Sequence, residues 1–469
     1  MEDNQDFNDE FDKNSPTEQS GQSSGSTENG ALMGSEKLDP APRKRGGWKK
    51  VGYVALAVVL FVVGYLASAL QYDQELRALK KIKQAIQTQY YEEVTDEEFY
   101  GVLFDAINED LLDRYSAYMT PDEYAAVTKE ATGEWSGIGV TFLTEDSNGN
   151  PQMLVRRVSG NSPAETAGVK EGDFIIAYGL TAETLFESND YDPFYVFVQA
   201  RAKGEKFLLK IRRGENTELI EIYKDTFVEN YVFYRSKDTA FAFSGSGATE
   251  LVAKGEPLTA LDDKTAYIRL TQFNGNAAKE FSKAMEKFKE EGKANLVLDL
   301  RENGGGYMNI LQEIASYFCK GETGKSLIAV AKYRDGHREE FYSDKALYGK
   351  YFSDESKIKV LADDGTASAS ECLLGCMLDY GAISYTDICL IERSGVAKTY
   401  GKGIMQSTFP FGLGNTDAIK LTTAQIFWPK SENCIHGRGI LPADGAKSVK
   451  ENYQKDGEIL SALGVLMNG

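Results

Sequence analysis

From Val51 to Leu70 the chain carries no charge: VGYVALAVVLFVVGYLASAL. As a helix rising 1.5 Å per residue, such a run reaches about 30 Å, the thickness of a bilayer's hydrocarbon core. A buried core helix or a cleaved signal peptide would give a related pattern. The run is long for a core helix. The long preceding tail and the lack of a sharp small-residue cleavage site favour an uncleaved anchor over a signal peptide. Helical spacing follows. Leu76, Leu79, Ile82 and Ile86 recur every three or four residues and predict an amphipathic helix between Tyr72 and Tyr91. Thr95 and Glu98 form a capping-box pattern opening a second helix through Phe99, Val102, Leu103 and Ile107. Thr120 and Pro121 open a third. This helical lead-in, residues 71–132, suits a lid, a spacer or a dimerisation arm.

The pattern turns to strands at Gly133. Trp135–Phe142, Met153–Val158, Phe174–Gly179 and Phe207–Arg213 read as strands, with a short capped helix starting at Ser162-Pro163-Ala164-Glu165. Residues 133–226 therefore predict a small β domain. From 227 to 469 the pattern is α/β. Thr265–Leu270 is a buried strand, and Ala277–Glu291 is a helix with Phe281, Ala284, Met285 and Phe288 on one side. The continuous apolar run of Asn295–Leu300 predicts a central parallel strand. It ends in Arg301-Glu302-Asn303-Gly304-Gly305-Gly306, and a helix from Met308 to Phe318 comes next. A Gly-rich turn at the carboxyl end of such a strand is the usual place for a ligand. The next strand, Ile358–Ala362, runs through Asp363–Glu371 into a helix bearing Leu373, Leu374, Met377 and Leu378. The stretch between Asp379 and Thr399 reads as a long surface connection.

Charge divides the chain. Residues 1–42 hold ten acids against two lysines, a net of −8, with almost no large apolar groups. Such a segment cannot offset its chain entropy by burial and is expected to be disordered. Arg43, Lys44, Arg45, Lys49 and Lys50 then give +5, which orients the tail to the cytoplasm and the body outside. The tail's −8 and the flank's +5 leave −16 of the total −19 for the body. An acidic body argues against a nucleic-acid partner. A single anchor, an exported body and few cysteines point to the cell membrane of a bacterium of the Gram-positive kind. Five cysteines are too few for a disulfide scaffold, and an odd number leaves one free. Cys372 and Cys376, one turn apart on one helix, are poorly placed for a disulfide and are expected as buried thiols. No metal pattern and no cofactor motif is expected.

Candidate chemistry begins with two histidines, His337 and His436. Any Ser-His-Asp triad must use one of them, and His436 sits in a Gly-flanked segment that reads as a turn. Ser368 lies among small residues where a strand turns into a helix. Small neighbours admit substrate backbone there, and the helix start favours developing negative charge. Ser370 competes both as cap and as nucleophile. Lys402, between Gly401 and Gly403, is the economical base, provided that burial lowers its proton affinity.

These segments resemble the carboxyl-terminal processing, or tail-specific, serine protease family. The likeness rests on Asp299-Leu300-Arg301-x-Asn303-x-Gly305-Gly306, Thr366-Ala367-Ser368-Ala369-Ser370-Glu371 and Thr399-Tyr400-Gly401-Lys402-Gly403-x-x-Gln406. The preceding β domain resembles a bacterial PDZ domain through Gly137-Ile138-Gly139, Ser162-Pro163-Ala164 and Gly172-Asp173-x-Ile175-Ile176. The resemblance implies a ClpP/crotonase-like protease core with Ser368 as nucleophile, Lys402 as base and Gln406 orienting the lysine. Gly305 or Gly306 and Ala369 would supply the oxyanion hole. Gly137, Ile138, Gly139 and Val140 would bind a peptide's C-terminal end, through free loop N–H groups and an added strand. Partners would be unfolded or C-terminally exposed proteins, with a second copy of the chain in a homo-oligomer as a further candidate. Three features depart from the family pattern. Ser368 and Lys402 stand 34 residues apart, more than usual. The late Gly439-Ile440-Leu441-Pro442-Ala443-Asp444 is one residue longer than the family's usual ending. Glu302 and Gly304 replace commoner residues. An inactive peptide-binding scaffold and a His436-dependent hydrolase are the competing readings.

Overall fold

The computed structural model describes residues 53, 56–63, 74–146, 148–244, 250–393, 395–414, 416–452 and 455–468. The chain divides into two units, Met1–Val94 and Thr95–Gly469. The acidic tail expected at 1–50 lies outside the described residues. Of the predicted span, Tyr53 and Leu56–Val63 are helical and exposed, and the rest is not described. Among the described residues no helix is long and apolar enough to cross a membrane. The amphipathic helix expected after the span is Gln74–Gln89, and none of its residues is buried within its unit.

The second unit opens with two capped helices. Thr95 and Glu98 cap Asp96–Ala106 reciprocally, the Thr95 N–H donating to Glu98 Oε2 at 2.8 Å. Pro121–Ala131 starts on Thr120, whose Oγ1 accepts from the Glu123 N–H. A short strand between them, Ala117–Met119, pairs with Ala418–Phe427 and so joins the lead-in to a five-stranded sheet of the α/β part.

The β unit is a six-stranded antiparallel sheet, with the helices Pro163–Ala167 and Tyr191–Gln199 around a core containing Met153, Ile175, Phe194, Phe207 and Leu209. Its two ends are tied by an antiparallel ladder of Glu134–Gly137 with Asp225–Val228.

The α/β part is organised by an eight-stranded sheet. Thr265–Leu270, Asn295–Asp299, Ile358–Ala362, Ile388–Glu392 and Lys447–Lys450 run parallel in that order, and three antiparallel strands extend the other edge. Ala277–Glu290, Met308–Ala315 and Ala369–Asp379 bury their apolar faces in one core with this sheet. The C-terminal helix Lys455–Asn468 packs Ile459, Ala462, Leu463 and Leu466 into a second. One expectation is corrected here. The stretch between Asp379 and Thr399 is not a surface connection, because its run Ile388-Cys389-Leu390-Ile391 forms a fully buried strand inside the sheet, next to the edge strand Lys447–Lys450. An unbroken apolar run is what a strand covered on both faces requires.

Candidate active site

Two turns at the carboxyl ends of neighbouring parallel strands build the site. The first follows Asn295–Asp299. Buried Asp299 accepts from Arg301 at its Oδ1 and Oδ2, and Arg301 also pairs with buried Glu458. Burial works against the charge on Asp299, yet the Arg301 pair holds its carboxyl well below the ordinary range. Asn303 then folds the Gly-rich turn. Its Nδ2 donates to the Leu270 carbonyl at 2.8 Å, and its Oδ1 accepts the Gly305 N–H at 3.0 Å.

The second turn follows Ile358–Ala362. Thr366 Oγ1 donates to the Leu300 carbonyl at 2.8 Å, and the Ala367 N–H donates to the Asn303 carbonyl at 2.9 Å, so the two turns are sewn together. Ser370 joins the same seam, its Oγ donating to the Asn303 carbonyl at 2.9 Å. That bond leaves Ser370 buried as a brace. Ser368, by contrast, takes φ 57° and ψ −116°, a conformation rarely held by a residue with a Cβ. A methyl group on Gly305 would stand 2.7 Å from Ser368 Cβ, so glycine is required for this close approach.

Lys402 reaches the serine through Glu371. This buried carboxylate accepts Ser368 N–H at 3.1 Å and Lys402 N–H at 2.8 Å on Oε2, and Gly401 N–H at 2.8 Å and Thr399 Oγ1 at 2.5 Å on Oε1. It therefore fixes the backbones of both candidate catalytic residues. No sequence spacing announces this role, because three of its donors lie some thirty residues downstream. The late Gly439-Ile440 segment supports the same loop, with Ile440 N–H donating to Thr399 Oγ1 at 2.8 Å.

Ser368, Lys402, Gln406, Gly306 and Ala369 all line one cavity of 530 Å³. The longer spacing between Ser368 and Lys402 has therefore not removed the lysine from the serine's cavity. Of the three expected oxyanion donors, Gly305 has its N–H committed to Asn303 and does not line the cavity. Gly306 and Ala369 line it, and their N–H groups make no hydrogen bond among the described residues. Burial lowers the Lys402 pKa, and nearby Lys420 lowers it further, against the pull of Asp113 and Glu371. Its Nζ lies 4.8 Å from the centre of the Tyr115 ring. No hydrogen bond joins it to Ser368 or Gln406 among the described residues, and Gln406 Nε2 donates to Thr422 Oγ1 at 3.3 Å. Tyr115 gave no sequence signal, since it reaches the site from the lead-in. Both histidines are exposed, and neither lines this cavity.

Glu302, Asp363 and Asp364 bring carboxylate oxygens within 4.8 Å of one another. Two guanidinium groups face the trio. Arg156 from the β unit pairs with Glu302 and with Asp364 at 2.9 Å, and Arg393 pairs with Asp363 at 2.8 Å. The cluster is thus an ion-pair network, and it spans the β unit and both turns.

At the expected peptide site, Gly139 packs on Ser162, and the Ile138 carbonyl accepts the Ala164 N–H at 2.9 Å. The Ile138 and Gly139 N–H groups make no bond among the described residues. Val140 begins the edge strand Val140–Glu145, whose Phe142 meets Tyr191 and Phe194 at ring-centre distances of 5.8 and 5.7 Å.

A strained serine beside unpaired backbone N–H groups and a lysine of reduced proton affinity has the makings of a serine hydrolase that needs no histidine. Comparison with known proteins narrows that class. Residues 264–443 match the family model of peptidase family S41. Among curated proteins it is similar to a probable CtpA-like serine protease of Staphylococcus epidermidis, 27% identical over 402 residues, covering 84% of this chain and 71% of the relative. Among solved structures, a photosystem II D1 C-terminal processing protease covers 80% of this chain and 86% of its own, at 21% identity and a TM-score of 0.47. A PDZ domain of a carboxy-terminal protease from Vibrio cholerae, in complex with peptide, covers 20% of this chain and 97% of its own, at 21% identity and a TM-score of 0.17.

Proposed function

We propose that the protein is a membrane-anchored endopeptidase that cuts exposed or unfolded protein chains outside the cell after its β unit, acting as a PDZ domain, has captured their C-termini. The observation that carries the reading is the shared cavity of Ser368 and Lys402, with Gly306 and Ala369 N–H groups on its wall. In this reading Ser368 Oγ attacks the scissile carbonyl as Lys402, in its neutral form, takes the proton. The tetrahedral oxyanion is held by the Gly306 and Ala369 N–H groups. Lys402 then protonates the leaving amine, and water hydrolyses the acyl-enzyme by the reverse sequence. Lys402 leaves the Tyr115 ring to reach Ser368, and the Gln406 carbonyl oxygen receives and orients its ammonium. Catalytic hydrogen bonds commonly tighten only with substrate bound.

Unpaired Ile138 and Gly139 N–H groups beside an edge strand suit a terminal carboxylate followed by an added strand. The pairs from Arg156 to Glu302 and Asp364 tie that unit to both catalytic turns, giving peptide capture a route to the site. The basic flank and uncharged run at 43–70 support an anchor with the body outside. The test compares two copies of one unstructured substrate with an apolar C-terminus, one ending in a free carboxylate and one amidated. The free form is expected to be cut at least about tenfold faster at subsaturating concentration, the equivalent of about 1.4 kcal/mol of recognition. Equal rates would overturn C-terminal capture.

A further inference from the structure

Behind the candidate site lies a pair of thiols that acyl transfer does not use. Cys319 lies just beyond the helix Met308–Ala315, which follows the Gly-rich turn, and Cys376 lies on Ala369–Asp379, which starts at Ser368. Both are fully buried, and their sulfurs stand 3.8 Å apart. Cys372 shares a helix with Cys376, Cys389 lies on the buried strand Ile388–Glu392, and half-buried Cys434 donates to the Gly403 carbonyl.

We propose that Cys319 and Cys376 are an oxidisable pair, closed to a disulfide by hydrogen peroxide, which staples the helix behind the Gly-rich turn to the helix behind Ser368. The sulfurs need less than about 2 Å of closure to reach bonding distance. Peroxide is small and neutral, as entry to a buried site requires. The hydrogen bond shared with Cys376 holds the Cys319 thiol below its ordinary pKa, while the same contact and burial push Cys376 well up. Cys319 is therefore the first nucleophile. Its thiolate attacks one peroxide oxygen, the O–O bond breaks, and hydroxide leaves and takes a proton to become water. Cys319 is now a sulfenic acid. The Cys376 sulfur attacks the Cys319 sulfur, the S–S bond forms, the S–O bond breaks, and the hydroxyl leaves with the Cys376 proton as a second water. Two thiols have lost two electrons, and peroxide has been reduced to two waters.

The staple joins residues 57 apart in sequence, so it restricts a long segment of the unfolded chain. It does not depend on the protease reading. The experiment treats the folded full chain with hydrogen peroxide, blocks the remaining thiols, and maps peptides without reduction. A Cys319–Cys376 peptide is expected, with a mass lower by two hydrogens, reversed by dithiothreitol. The melting temperature of the oxidised protein should rise by several degrees. Cys372→Ser should keep both the link and the shift, and Cys376→Ser should lose both. If Cys376→Ser fails to fold, the wild-type peptide map decides. A Cys372–Cys376 link, sulfinic acid without a link, or unchanged thiols after peroxide would each overturn the proposal.

Discussion

Ser368→Ala is expected to abolish proteolysis, lowering kcat on the order of 10⁶-fold, as loss of a nucleophile does in a concerted site. The protein should melt at the wild-type temperature. Alanine keeps the Cβ that packs against Gly305 and the backbone N–H that donates to Glu371 Oε2. Ser370→Ala should do the reverse. It removes the bond to the Asn303 carbonyl from a fully buried position, which costs about 1–2 kcal/mol of stability. Activity should survive, reduced by whatever loosening the Gly-rich turn suffers. Kinetics and melting of the two variants side by side separate nucleophile from brace. Full activity in Ser368→Ala would sink the assignment.

Lys402→Ala carries the second large effect, a loss of at least about 10³-fold in kcat, since proton transfer by a positioned base contributes up to about 10⁴-fold. The wild-type pH profile should report the same group. Lys402 acts as a base when neutral, so kcat/KM rises with pH through its lowered pKa. Burial causes most of that lowering and Lys420 adds to it. Lys420→Met removes a neighbouring positive charge, which makes the Lys402 ammonium easier to form and raises its pKa. The rising limb should therefore move to higher pH in that variant. An unmoved limb, or one that persists in Lys402→Ala, would show that another group titrates.

Much of the frame was legible in the chain. Thr95 with Glu98 and Thr120 with Pro121 mark helix starts by local chemistry, and the apolar run at Asn295 marks a buried strand without tertiary information. The scarcity of histidine already pointed to Lys402 as the base for Ser368 and the family resemblance reinforced it, although 34 residues separate the two and no local pattern shows them in one cavity. What escaped is long-range. Ile388–Glu392 was misread because family spacing outweighed its own apolar pattern. Glu371 holds the Lys402 loop, a role set by backbone N–H groups that carry no sequence mark. Gly305 and Gly306 look alike as letters, and the Asn303 side chain makes them different by occupying one N–H. Glu302 departs from the family pattern, and its partners Arg156 and Arg393 come from elements far from it in sequence.

The account stands on acyl transfer through one residue. A serine-reactive fluorophosphonate probe, followed by peptide mass analysis, measures that directly. The wild type should carry the adduct on Ser368. Labelling should be lost in Ser368→Ala and sharply slowed in Lys402→Ala, while Ser370→Ala remains labelled. Absence of an adduct on the folded wild type, or an adduct on Ser370 instead, would contradict it.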